Sequence, residues 1–593
     1  MVRLSTKTFV VHLFLLSLLS LYAHAKSTRN IEASVEDSTS TTKPEGERQL
    51  QQHDFFRAEG IEIIDPRTAQ PFLPRGMNLN GLFMLEPYVL RLNRVHKRHK
   101  SPHSDIIATI DKFLGADDAK VFWDTFLNNW VTENDIARFA DLGLNALRIP
   151  FNYRLLSPED TPGEYSEEGF QKLDRVINWC KKYDLAVLLD MHALPGGQSH
   201  EAHADPEYSF WTQRDFETGG TFDYWWERGV AMLWEDKDGY EAETGRTAAF
   251  NQQRAVDIWK KIAERYRDET IIMGYELANE PYYYYTDTMN DQKFRAFYYS
   301  ISLAIRSVDR NHMIVVEGND FAEKIDGLVP PFDANMAIAF HRYGDQDTGI
   351  TEKMEEYLAA RETYQIPFVL TEAGENSNAF IYENTQLLES NDIGWFYWGF
   401  KKVDAIATIY SVEITPSYKY VIDNWKDSPD ADTSIIKEGL MELAENVLTE
   451  KSHRQPGYVH AMLDPLFNER PQPFTNHSVP TISNEFVYAA EFDLGNEGIA
   501  FRKPNVTDFL FLADNVTNVN VTRLNGGFTI FGVTFTGGTL DINETTTGGP
   551  VRGTKWNYGW EFRNDGVDIA ANDEEEFGYH VTDTEANEWM SYT

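Results

Sequence analysis

A chain of 593 residues is too long for one ordinary domain, so two or more domains are expected. Its 42 % hydrophobic and 25 % charged residues are ordinary for a globular protein. A net charge of −39 excludes nucleic acid as a partner, because phosphate binding needs concentrated Lys and Arg; the charge is read as solubility in an outside medium.

The chain begins with a leader. Arg3 and Lys7 precede the apolar run Phe9 to Leu21, broken only by His12 and two serines, and Ala23-His24-Ala25 follows as a small-x-small cleavage site. Residues 1–25 therefore read as a secretory signal peptide, too short in its apolar run to span a bilayer, and the mature protein is expected outside the cell or in the cell wall. Residues 26–54 are rich in Ser, Thr, Glu and Gln without apolar period, a flexible lead-in. From residue 55 to 451 short apolar runs alternate with amphipathic helices. The runs are Gly76–Asn80, Leu144–Pro150, Ala186–Met191, Ile271–Leu277, Met313–Glu317, Met336–Phe340, Pro367–Thr371 and Gly394–Trp398. Several are almost continuously hydrophobic, as parallel strands covered on both faces must be. Helices are expected at 167–183, 251–267 and 433–449, and the lone Cys180 falls at helical spacing with Leu173, Val176 and Ile177, as core filling. Eight βα units predict an α/β fold, a (β/α)8 TIM barrel; a doubly wound sheet competes, but no glycine-rich phosphate loop follows the first run.

After residue 451 the composition changes. Residues 452–485 are Pro-rich and irregular, a linker or strap, and residues 486–593 are β-like, rich in Thr, Val, Phe and Gly. The sequons at Asn476, Asn505, Asn515, Asn520 and Asn543 lie in or beside this region and point to a glycosylated surface.

A TIM barrel carries its chemistry at the carboxyl ends of its strands. The fourth run, IIMGYELANEP, ends in Asn279-Glu280, and the seventh, PFVLTEAGE, ends in Glu372. Two glutamates on opposite sides of a barrel mouth suit glycoside cleavage, in which one carboxylic acid protonates the leaving oxygen while the other attacks the anomeric carbon. Each alone would read as a structural ion pair, and Arg148 alone would balance Glu276.

With these motifs the chain resembles glycoside hydrolase family 5, a retaining family. The resemblance implies Glu280 as acid/base and Glu372 as nucleophile, with Asn279 on the sugar 2-hydroxyl. LRIP places Arg148 beside the nucleophile and LLDMH places His192 after the third strand. AFHRY supplies His341 and Tyr343, the tyrosine on the nucleophile, and GWFYW supplies Trp398 as a platform for the ring. PRGMNLNGLFMLEPYV resembles the exo-β-1,3-glucanase branch, in which the glutamate of LEPY, here Glu86, helps hold the sugar. That branch's HGAPGSQNGFDNSG reads HALPGGQSHEAHAD here, without its phenylalanine, and a second expected phenylalanine is replaced near Gln346. The loop from Ala193 to Phe250 carries Trp211, Trp225, Trp226 and Trp234, to wall a pocket or floor a cleft.

The C-terminal YAAEFDLGNEGIAF and WEFRNDGVDIAANDEEEFGYHV look like part of a carbohydrate-binding module of family 6. That implies a partial β-sandwich, a structural calcium near Glu491 and a sugar contact at Tyr579. Histidines 192, 200, 203 and 341 invite a metal, yet a two-carboxylate site needs none; His200 and His203 read as a surface loop rich in acids. The expected protein is a hydrolase of β-glucan polysaccharide or oligosaccharide without a catalytic cofactor. An endo-β-1,4-glucanase and a non-catalytic glycan-binding protein are the alternatives, and nothing in the sequence specifies an oligomeric state.

Overall fold

The computed structural model describes residues 50–92, 101–206, 232–234, 236, 240–283, 288–343, 350–425 and 430–474, with short pieces between 493 and 590. Each of the eight apolar runs forms one barrel strand: β1 Arg75–Asn78, β2 Ala146–Asn152, β3 Ala186–Ala193, β4 Ile272–Glu276, β5 Met313–Glu317, β6 Met336–Arg342, β7 Phe368–Ala373 and β8 Gly394–Tyr397. Neighbours pair in parallel and β8 returns to β1, so the sheet is a closed barrel rather than a doubly wound sheet.

Helices form where the apolar stripe and the caps agree. In α1 (Glu167–Lys182) the Ser166 hydroxyl accepts the Gly169 N–H at 3.0 Å, and two lysines occupy the last turn, where the helix dipole favours cations. Its buried face is Phe170, Leu173, Val176, Ile177 and Cys180. α2 (Ala248–Tyr266) is capped by Thr247 in the same way and buries Ala255, Ile258, Trp259 and Ile262.

Strand alternation then divides the side chains. Leu147, Ile149 and Phe151 of β2 face the helices, whereas Ala146 joins an interior cluster with Ala186, Leu188, Met313, Val315, Ala337, Ala339, Val369 and Phe396. Ile63, from a small antiparallel sheet at 57–71, and Phe56, just before it, enter the same cluster and close the amino-terminal end of the barrel. Burying each contributes roughly 2 kcal/mol. The filling leaves no room at Gly76, where a Cβ would meet the Phe396 ring at 2.4 Å. One step further along the strands the inward positions turn polar, with Asn78, Arg148, Asp190, Glu276 and Glu317 all buried.

The stretch expected as a linker or strap begins by packing on the barrel. His453–Arg454 pairs with Tyr410–Ser411, and α4 (Pro456–Leu463) lies on α3 (Asn378–Glu389) with Tyr458 and Met462 buried. A further helix, Thr433–Asn446, stands where 433–449 was expected. Beyond residue 486 the described residues include three two-stranded antiparallel sheets. The calcium position near Glu491, the five sequons, the leader, Trp211, Trp225, Trp226 and Gln346 lie outside the described residues, as does the side chain of Tyr579. Among the described residues no helix is long and apolar enough to cross a membrane.

Candidate active site

The strand ends converge on one cluster. Arg148, fully buried at the interior face of β2, donates to Glu372 Oε1 through Nη1 at 2.5 Å, to Asn279 Oδ1 through Nη2 at 2.8 Å and to Asn78 Oδ1 at 2.9 Å. It also meets Glu276 at 2.5 Å, Asp190 at 3.0 Å and Glu317 at 3.4 Å. Burial opposes its charge, but these carboxylates together hold its pKa well above the usual arginine value. One guanidinium cannot neutralise four carboxylates. Burial accordingly raises the pKa of both Glu276 and Glu317, with the neighbouring carboxylates adding to it. Arg148 therefore balances Glu276 and also holds Glu372.

Glu372 follows a register shift between β6 and β7, which brings it opposite His341. Its Oε2 accepts the Tyr343 hydroxyl at 2.8 Å, so both oxygens receive a donor. Glu280 sits differently. Its backbone has φ +42°, a left-handed conformation costing about 1–2 kcal/mol, and its N–H donates to Glu317 Oε2 at 2.6 Å. Its Oε1 meets His341 Nδ1 at 2.8 Å and its Oε2 lies 3.4 Å from His203 Nε2. Burial, then the charges of Glu372 and Glu86, push its pKa well above the ordinary carboxylate range. Oxygens of Glu280 and Glu372 lie within 4.8 Å of each other. The two carboxyls thus face each other across the mouth, one held by a cation and a phenol, the other placed to keep its proton.

The remaining expected residues gather round this pair. His192 bonds Asp190 through Nδ1 at 2.7 Å, and its Nε2 lies 3.3 Å from Asn279 Nδ2 and 3.8 Å from Glu86. Burial pushes His192 down to about 3, so it is neutral, and raises Asp190 to about 8 although Arg148 opposes the shift. Burial and the neighbouring carboxylates also raise Glu86. The Trp398 ring stacks on His192 at 5.2 Å and 14°, and its Nε1 donates to the Tyr88 hydroxyl at 2.6 Å. It is only 1 % exposed, so it walls the site behind His192 and shows little bare face. Trp234 is buried and donates to the Gln198 carbonyl.

Several members escape sequence reasoning. Glu317 ends β5 as Glu280 and Glu372 follow β4 and end β7, and the same strand-end rule would have found it. Asp190 lies two residues before His192, on the same inward face. His203 reads as part of a surface loop, yet the structure brings it to Glu280; the loop that carries it is ordered by the Gln198 amide, which bridges the carbonyls of His192 and Asn279. His341 with Glu276 and Glu317, or with Glu280 and Glu372, is spaced closely enough to hold a cation, but the Arg148 guanidinium already supplies positive charge there.

Residues 114–403 match the family described as cellulase (glycosyl hydrolase family 5). The chain is similar to a beta-xylosidase of Phanerodontia chrysosporium, 30 % identical over 291 residues that cover 49 % of this chain and 52 % of that protein. It is also similar to endoglucanase C of Acetivibrio thermocellus, 30 % identical over 38 % of this chain and 53 % of that one. A third relative is glucan 1,3-beta-glucosidase 2 of Wickerhamomyces anomalus, 29 % identical over 35 % and 41 % respectively. The chain thus spans about half the length of these relatives. The matched residues 114–403 hold all of the barrel strands but β1.

Proposed function

We propose that the chain is a secreted, retaining β-glycosidase that hydrolyses β-glucan, with β-1,3-linked glucan its first substrate. The observation that carries this reading is the carboxyl pair itself. Retaining enzymes hold their carboxyls ~5–5.5 Å apart, and inverting enzymes ~6.5–9.5 Å apart to admit a water. Here the nearest oxygens lie within 4.8 Å, and the environments of the two groups differ in the sense the reaction needs.

Glu372, charged and aimed by Arg148 and Tyr343, attacks the anomeric carbon as the bond to the leaving oxygen breaks. Glu280 gives that oxygen its proton. The ionised Glu280 then takes a proton from water, whose oxygen displaces Glu372 and releases the sugar with its configuration kept. Asn279, fixed by Arg148, is placed to bond the sugar 2-hydroxyl, while Glu86, His192 and Trp398 line the side where the glycone would lie. Neutral His341 orients Glu280 through Oε1. The relatives named glucan 1,3-beta-glucosidase and endoglucanase support a glucan substrate, and the leader supports export.

The test is incubation with laminarin, carboxymethyl cellulose and pustulan, with chromatography of products and proton NMR of the first anomer released. Glucose alone from laminarin, released as the β anomer, is expected. A ladder of oligomers would replace exo by endo action, first release of the α anomer would overturn retention, and binding without release would leave a glycan-binding protein. Export predicts that protein recovered from the medium begins at Lys26.

A further inference from the structure

We propose that His203, Phe321 and Tyr282 form the subsite that holds the leaving sugar; this rests on the glycosidase reading above. The two oxygens of Glu280 are not equivalent. Oε1 is engaged by His341 Nδ1 at 2.8 Å, whereas Oε2 lies 3.4 Å from His203 Nε2. With Oε1 engaged by His341, Oε2 is the oxygen that faces His203, and a leaving oxygen that takes its proton from Oε2 lies against the elements that carry His203.

Those elements form an aromatic shelf. The Phe321 ring stands edge-on to His203 at 6.1 Å and lies on Tyr282 at 4.8 Å and 22°. His200 meets Tyr282 at 5.1 Å and Phe321 at 6.0 Å, both edge-on. Tyr282 follows the acid/base by two residues, and its N–H donates to the Gln198 carbonyl, which ties the shelf to the loop bearing His203. Phe321 is half-buried, so its ring is not simply core. It is also held at a cost: Asp320, Phe321 and Ala322 have φ of +61°, +58° and +65°, three successive non-glycine residues in the left-handed region. Such strain persists where a side chain must be presented in one place. A flat ring beside an imidazole suits a pyranose unit, whose C–H face stacks while its hydroxyls bond the imidazole.

The experiment compares the glucose disaccharides linked β-1,3, β-1,4 and β-1,6 with β-glucosyl fluoride, whose leaving group fills no sugar subsite. In Phe321→Leu the ratio of kcat/KM for the best disaccharide to that for the fluoride should fall at least ~10-fold, the effect of one good contact. Phe321→Tyr should restore it to within ~3-fold, which separates loss of the ring from loss of the fold. His203→Ala should lower the same ratio. An unchanged ratio in both Phe321→Leu and His203→Ala overturns the subsite, as would an equal loss on alkyl glucosides, which would make it an apolar aglycone surface. Wild-type protein that cleaves neither disaccharide nor fluoride overturns the glycosidase reading itself.

Discussion

Replacing Glu280 by Gln separates what the residue does for chemistry from what it does to the fold. The carboxyl is buried, faces the charges of Glu372 and Glu86, and has its pKa raised well above the ordinary range. For a raised carboxyl the unfolded chain releases its proton near 4.5 while the folded protein keeps it. Stability from this group is therefore intact below that pH and falls as pH rises from there to the folded pKa. Each pH unit across that window costs about 1.4 kcal/mol, and in a chain of this size a kcal/mol moves Tm by roughly 1 °C. Glu280→Gln removes the penalty and keeps the shape. Its Tm should exceed that of the wild type at pH 7–8, and the difference should vanish near pH 4. Turnover of an oligosaccharide should fall ~10²–10⁴-fold. Thermal unfolding from pH 4 to 8 measures the first effect and initial rates the second. A Tm advantage equal at pH 4 and pH 7 would refute the electrostatic account, and wild-type turnover would refute the assignment of the acid.

Glu372→Gln should abolish measurable turnover while the circular dichroism spectrum stays unchanged; retained turnover would place the nucleophile elsewhere. Tyr343→Phe removes one donor from Glu372, a charged hydrogen bond worth about 1.5–3 kcal/mol, so kcat should drop ~10–100-fold with little change in KM, read from initial rates. Wild-type kcat/KM remains high on the alkaline side only while Glu280 is protonated in the free enzyme, so its alkaline limb should fall with Glu280 and lie well above the ordinary carboxylate range. Gly76→Ala forces its methyl into Phe396 inside the barrel and should destabilise by about 1–3 kcal/mol, measured as a lower Tm with activity intact at low temperature.

The barrel was legible because its signal is local and repeated: β5 spans the run read from its text, and the other strands differ from theirs by at most two residues at either end. Glu280, Glu372, Arg148 and Tyr343 were legible because strand ends fix where they point. His203 and Phe321 were not. Both sit in loops whose path depends on tertiary bonds, such as that of Gln198 to Asn279, and on a left-handed turn that no propensity favours. The packing of Tyr458 was hidden for another reason: a short helix starting at a proline inside irregular text carries too few turns to show a period.

That helix sets where the catalytic unit can be cut. Tyr458 is wholly buried, its hydroxyl donates to the Trp398 carbonyl at 3.4 Å, and a Cβ on Gly374, two residues after Glu372, would lie 2.9 Å from that hydroxyl. The chain past residue 451 thus props the backbone on both sides of the β7–β8 junction from outside the barrel. A protein ended at residue 451 keeps every catalytic side chain yet loses this prop, and one ended at 474 keeps both. The compact unit that carries the candidate site is longer than the span of its site residues.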